Sequence, residues 1–174
     1  AGRLPVTFYK DINDIPAFSD YKMQGKTYRY FKGKPLFEFG YGLSFTTFKY
    51  SNLEIPKTIK AGDNFLLQVV VENTGNYEGE EVVQVYIHNT NVDEFNPHKT
   101  LAGFQRISFK SGEKKLLKFK IDKEQLSVVN KNGQKVILPG EYKISVGGSQ
   151  PSLVREKRGT VITKKIMIKG RKDL

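Results

Sequence analysis

FLLQVVVENTGNYEGEEVVQVYIH, residues 65–88, alternates apolar and polar side chains on either side of a turn. Side chains of an extended chain alternate with a period of two, so Phe65, Leu67, Val69 and Val71 share one face. Asn73-Thr74-Gly75-Asn76 supplies turn chemistry. Val83, Val85 and Ile87 then share a face, with Gln84 and His88 on the other. The pattern predicts two half-buried strands, and it continues downstream. Phe104–Phe109 reads as a short strand, Ser111-Gly112 as a turn and Leu116–Ile121 as the return. Asp122 is placed to cap a single helical turn to Leu126. Val128-Val129, Asn132-Gly133 and Val136-Ile137-Leu138 predict a hairpin, since Asn-Gly tolerates the positive φ of a type I′ turn. Pro139-Gly140 turns the chain into Tyr142, Ile144 and Val146, and Val161–Ile168 is a last strand.

Upstream, Phe45–Ile55 reads as a first, irregular strand region. Seven or eight short strands separated by turns over about 120 residues point to an all-β fold, an antiparallel β-sandwich of immunoglobulin or fibronectin III type. The Cys and Trp landmarks of antibody domains are absent, because the 174-residue chain has neither residue.

Without cysteine, disulfides and thiolate metal sites are excluded. No apolar run reaches the roughly 18 residues of a membrane span. AGRLPVTFYK lacks the layout of a signal peptide. The net charge is +11, which raises a polyanion partner. Along Leu116–Ile121, however, the lysines alternate with apolar residues and so line the outer face of a strand, where they also discourage edge pairing. Only Arg155, Lys157, Arg158, Lys164, Lys165, Lys169, Arg171 and Lys172 form a basic cluster. No nucleic-acid motif accompanies it, and nucleic acid is not expected as a partner.

Ahead of the strands lies YRYFKGKPLFEFGYGLSFTTF, residues 28–48, with eight aromatic rings. Pro35 and the glycines Gly33, Gly40 and Gly42 break any helical period, yet the segment is too apolar for a free linker. It is expected to lie packed on a surface with its rings covered. Arg3–Tyr9 reads as a short edge strand, because of Pro5. Asp11–Lys26 reads as a loop. Nothing in residues 1–27 could fold alone, so the chain is expected to begin inside something larger.

Candidates for chemistry are sparse. His88 and His98 sit in different elements without a third ligand, so no metal or cofactor is expected. Ser44 lacks the G-x-S-x-G elbow. Glycoside hydrolysis needs two carboxyls across a substrate, roughly 5 to 9.5 Å apart. Glu80 and Glu81 are adjacent and point to opposite faces of a strand, and Asp93-Glu94 sits in a loop without a partner. All read as solvated carboxylates. Gly147-Gly148-Ser149 reads as a strand end and turn, with no helix expected after it to bind phosphate. Among the rings, Tyr28 and Tyr30 are the candidate substrate contacts, with packing favoured over ligand contact for each.

Gly2–Phe8, Tyr28–Phe31 and the string Pro35-Leu36-Phe37-Glu38-Phe39-Gly40-Tyr41-Gly42-Leu43-Ser44-Phe45-Thr46-Thr47-Phe48 resemble the C-terminal region of glycoside hydrolase family 3. Asn73-Thr74-Gly75, Glu81–Tyr86, Lys99–Phe104 and Pro139–Tyr142 are similar to its fibronectin III-like terminal domain. The resemblance covers the chain to about residue 151 and implies a division. Residues 1–44 would be the end of a preceding α/β domain plus an interdomain linker, and 45–174 the sandwich. It implies retaining exo-β-glucosidases and β-xylosidases whose nucleophile and acid/base lie upstream, so no catalytic residue is expected here. Phe31, Phe37, Phe39, Tyr41, Phe45 and Phe48 are then expected to pack between domains. The expected partners are the preceding catalytic domains and an oligosaccharide, and export to the periplasm or medium is implied. Glu38 departs from the commoner string and carries no role. The rival readings are a carbohydrate-binding sandwich with exposed rings and a polyanion-adhesive domain.

Overall fold

A computed structural model describes residues 2–90 and 96–174. Strand β1 (Phe48–Glu54) pairs with β3 (Phe65–Asn73), and β3 pairs with β6 (Lys114–Ile121), to form a three-stranded sheet. The second sheet has five strands in the order β2 (Thr58–Lys60), β10 (Val161–Lys169), β9 (Gly140–Gly147), β4 (Gly79–Asn89), β5 (Thr100–Phe109). A small third sheet joins β11 (Lys172–Asp173), β8 (Lys135–Ile137) and β7 (Val128–Val129).

The alternation read from the sequence decides which side chains meet. Leu67, Val69 and Val71 of β3 and Leu117, Phe119 and Ile121 of β6 face Val83, Val85 and Ile87 of β4. Tyr142 and Ile144 of β9 and Ile166 and Ile168 of β10 complete the layer. Each such aliphatic burial contributes roughly 1.5–3 kcal/mol against the exposed state.

Several elements differ from expectation. Among the described residues pairing is antiparallel except between β2 and β10, which run parallel. β1 is irregular, as expected, because its register shifts between Ser51 and Glu54, where Asn52 adopts a positive φ. β5 begins at Thr100, four residues earlier than its apolar pattern suggested. The β7–β8 hairpin forms, but as a five-residue loop: Asn130 N–H bonds Gln134 O, and Asn130 Oδ1 accepts from Asn132 and Gln134. Only Gly133 of the Asn-Gly pair has positive φ, so the turn is not type I′. The turn after Asp122 is a 3₁₀ helix (Lys123–Leu126), and Gln125 Oε1 accepts the Asp122 N–H at 2.7 Å. A short helix, Leu153–Lys157, follows Gly147-Gly148-Ser149 where none was expected, but it starts four residues later and has only five residues.

The segment before β1 forms a layer of its own. Its two legs run side by side: Leu4 N–H bonds Tyr41 O, Gly40 N–H bonds Leu4 O, and Phe8 N–H bonds Phe37 O. Arg3–Tyr9 therefore makes an isolated bridge to Phe37 rather than a strand. This layer covers the back of β4. Gln84 and Tyr86 point away from the core, yet only 3% and 1% of their surface is exposed. Gln84 Nε2 donates to Gly40 O at 3.4 Å and Gly148 O at 2.9 Å, while its Oε1 accepts from Tyr86 at 2.6 Å.

Gly40 sits against this amide with φ +76, and a Cβ there would lie 2.2 Å from Gln84 Oε1. Three hydrogen bonds hold the amide, so it cannot swing aside. Gly40→Ala is expected to lower stability by about 2 kcal/mol or more. Urea unfolding of both chains checks this, and a change within error would contradict the close approach.

Candidate interdomain face

Residues 2–44 are fastened by a few specific contacts. Arg3 pairs with Glu81 through Nη2, and its Nη1 donates to Gly42 O at 3.1 Å. Gly42 has no room for a side chain, since a Cβ would meet the Gly2 carbonyl oxygen at 1.9 Å. Glu81 is 3% exposed, which corrects its reading as a solvated carboxylate. It lies in phase with Val83 and Val85, so the strand turns it to the core side. Burial pushes its carboxyl above the ordinary 4.5, and the Arg3 charge and hydrogen bond pull it back. Glu80, one residue earlier, faces outward and pairs with Arg106. Tyr50 lines the same cleft, its hydroxyl pushed up by burial and then by Glu81.

A second fastening lies across the segment. Arg155 Nε donates to Glu38 Oε2 at 3.1 Å, and the guanidinium sits 5.1 Å from the Tyr41 ring centroid. Glu38, assigned no role from sequence, thus ties the segment to the helix Leu153–Lys157. Gln150 N–H bonds Phe39 O at 3.2 Å.

The rings divide by environment. Tyr28 stacks on Phe39 at 4.1 Å, meets Tyr86 edge-on at 6.1 Å, and accepts the Leu101 N–H. Phe31 packs edge-on with Tyr9 at 4.9 Å, and Phe37 lies between Phe8 and Tyr41. Phe48 belongs to the sandwich core, 5.5 Å from Phe109. Phe45 is 98% exposed. Tyr30 is half-buried and meets no other ring among the described residues.

Among the described residues, two clusters of apolar surface lie open on the N-terminal layer and its loop. Leu4, Phe8, Phe37 and Leu43 line a shallow recess of about 550 Å³, with Val6, Leu36 and Phe45 also exposed. The loop before Tyr28 projects Ile12, Ile15, Phe18, Tyr21 and Met23 outward. It is ordered by its own bonds: Asp11 Oδ1 accepts from Asn13 N–H at 2.8 Å, and Asp20 Oδ1 from Lys22 N–H at 2.9 Å. Contiguous exposed apolar surface of this kind marks interaction sites.

Among the described residues no three metal-ligating side chains converge. Asp93-Glu94 lies outside the described residues. The basic cluster is partly neutralised, with Lys165 on Glu141 at 3.0 Å and Arg171 on Asp173 at 3.0 Å. His88 is half-buried on β4, facing Lys143 across the pair with β9, and near Lys99 and His98. Among the described residues no helix is long and apolar enough to cross a membrane.

Residues 81–150 match the family described as fibronectin type III-like domain. The chain is 39% identical over 154 residues to a β-xylosidase of Formosa agariphila, covering 85% of this chain and 21% of that protein. A xylan 1,4-β-xylosidase of Xylanibacter ruminicola is 39% identical, covering 93% and 18%. Among solved structures, β-glucosidase 3B of Thermotoga neapolitana in complex with α-D-glucose matches with a TM-score of 0.82 and 30% identity, covering all of this chain and 25% of that one. The chain thus spans about a fifth of the length of the curated relatives it matches, and corresponds to their C-terminal part.

Arg3→Met leaves Glu81 buried without its cation and is expected to cost about 3 kcal/mol. Adding Glu81→Gln should recover a large part of that loss, and chemical denaturation of the four chains measures the coupling. A second expectation concerns pH. Burial, then Lys143, Lys99 and His98, hold His88 below its ordinary 6.5. The unfolded chain then binds the proton more readily, so stability present above pH 6.5 is lost as pH falls through the folded value. Melting temperature should drop between about pH 7 and pH 5, and His88→Gln should flatten that drop. An equal drop in the variant would contradict it.

Proposed function

The chain belongs to the C-terminal region of glycoside hydrolase family 3 enzymes, fibronectin type III-like domain included, and on that premise we propose that it is the non-catalytic buttress of an exo-acting β-glycosidase. In this reading residues 1–44 are the end of a preceding α/β domain plus the crossing from it, and 45–174 are the sandwich. The parent enzyme removes terminal β-linked xylose or glucose with residues that lie outside this chain.

One observation carries the reading: the open apolar recess of Leu4, Phe8, Phe37 and Leu43 on the layer that covers β4. A surface this apolar suits a protein neighbour rather than a sugar, whose hydroxyls need polar partners. The carboxylates near it are already engaged, Glu81 by Arg3 and Glu38 by Arg155. Hydrolysis with retention needs two carboxyls about 5–5.5 Å apart, one of them free to attack. The preceding catalytic domains of the same polypeptide are the proposed occupant of the recess, with Phe37, Tyr41 and Phe45 at the contact.

The pure 174-residue chain should therefore release no nitrophenol from aryl β-xylosides or β-glucosides. Turnover that disappears on changing one of its own carboxylates would overturn the proposal.

A further inference from the structure

Tyr30 stands apart from the other rings of its segment. The helical turn that carries it, Thr27–Tyr30, is docked by His98, whose N–H donates to Arg29 O at 2.8 Å. This places Tyr30 at the wall of a cavity of about 290 Å³ between that turn, the Lys123–Leu126 turn and the β7–β8 hairpin. The volume is near the lower end of small-molecule sites, roughly 300 Å³.

The lining is mixed, with polar and charged groups set among Leu126, Val128 and Tyr142, and so differs from the almost wholly apolar recess. Arg29 and Lys135 both line it, and neither side chain has a partner among the described residues. Thr100 adds a hydroxyl and Glu124 a carboxylate whose ion pair with Lys123 is long, at 3.9 Å. The hairpin wall is held in place by Asn96, which donates to Val129 O at 3.1 Å and accepts from Val129 N–H at 3.0 Å. An aromatic ring, a hydroxyl, an acceptor and two cations without a partner among the described residues fit a sugar ring bearing a carboxylate. The ring offers its apolar face to Tyr30, its hydroxyls bond Thr100 and Glu124, and its carboxylate takes Arg29, with its planar fork of donors, and Lys135.

We propose that this cavity is a binding site for a single uronic acid residue of a saccharide. Binding here is independent of whether the chain buttresses a hydrolase, so its failure would leave that reading untouched.

The test is a titration of the full chain with methyl β-D-glucuronide and, separately, methyl β-D-glucoside, followed by backbone amide NMR shifts. The glucuronide should saturate with a Kd on the order of 1 mM, and the glucoside should bind roughly fivefold more weakly or not at all. Arg29→Met should remove the difference between the two. Tyr30→Ala should weaken glucuronide binding about fivefold, while Phe45→Ala, at a fully exposed ring, should leave it unchanged. Unaltered melting temperatures show that the variants stay folded, and Arg29, whose side chain is exposed, carries the test if Tyr30→Ala unfolds. Shifts that saturate with neither sugar, equal affinity for both, or binding indifferent to Arg29→Met would overturn the proposal.

Discussion

Glu81 cannot remain ionised on the core side of β4 without a cation beside it, and the chain supplies that cation from 78 residues away. Much of the N-terminal layer follows from meeting this demand. Arg3 must reach the end of the sandwich, so the first leg of the segment is brought against the seam between the sheets. The same guanidinium bonds Gly42 O, which draws the second leg alongside the first. The legs then exchange backbone bonds from Leu4 to Phe8, and the rings between them fall over the back of β4. There Gln84 and Tyr86 would otherwise present a buried-type surface to water. A strand enclosed on both faces is ordinary in a parallel sheet with helices on each side. Here an irregular segment, stapled by side chains, does the same for an antiparallel strand.

The sandwich was legible because its information is local. A period of two reveals which face of β3, β4 and β6 is apolar, and turn residues mark where each strand ends. What was missed lies in contacts with no local signature. The parallel pairing of β2 depends on where the chain crosses after β1. The early start of β5 depends on a bulge opposite Val85 and Tyr86. Arg155 and Glu38 are 117 residues apart, and no spacing rule links them. Glu81 is the instructive miss. Its phase with Val83, Val85 and Ile87 was on view and would have placed a carboxylate in the core, and a core carboxylate demands a partner. Adjacency to Glu80 suggests a solvated pair, but the period of two that defines the strand sends Glu81 inward.

The rings show a similar split. Sequence could name Tyr28 and Tyr30 together but could not separate them. Tyr28 is committed twice over, stacked on Phe39 and bonded to the Leu101 amide. Tyr30, two positions on, falls on the other side of the same helical turn and meets the cavity lined by Arg29 and Lys135 instead. The difference arises from the docking of residues 27–30 against 96–101, which no local pattern encodes.

The two open surfaces argue for two kinds of neighbour. The recess around Phe37 exposes almost only carbon, and water gains nothing by staying there, so a complementary apolar surface is its natural cover. The cavity at Tyr30 exposes charges that lose solvation if an apolar surface closes over them. One macromolecular partner covering both would have to supply apolar contact at the first and compensating polar groups at the second. The proposed arrangement removes that conflict. In it the recess would face the preceding domains, while the cavity, lined by groups that keep their charges, would admit a small polar ligand that can replace the water it displaces.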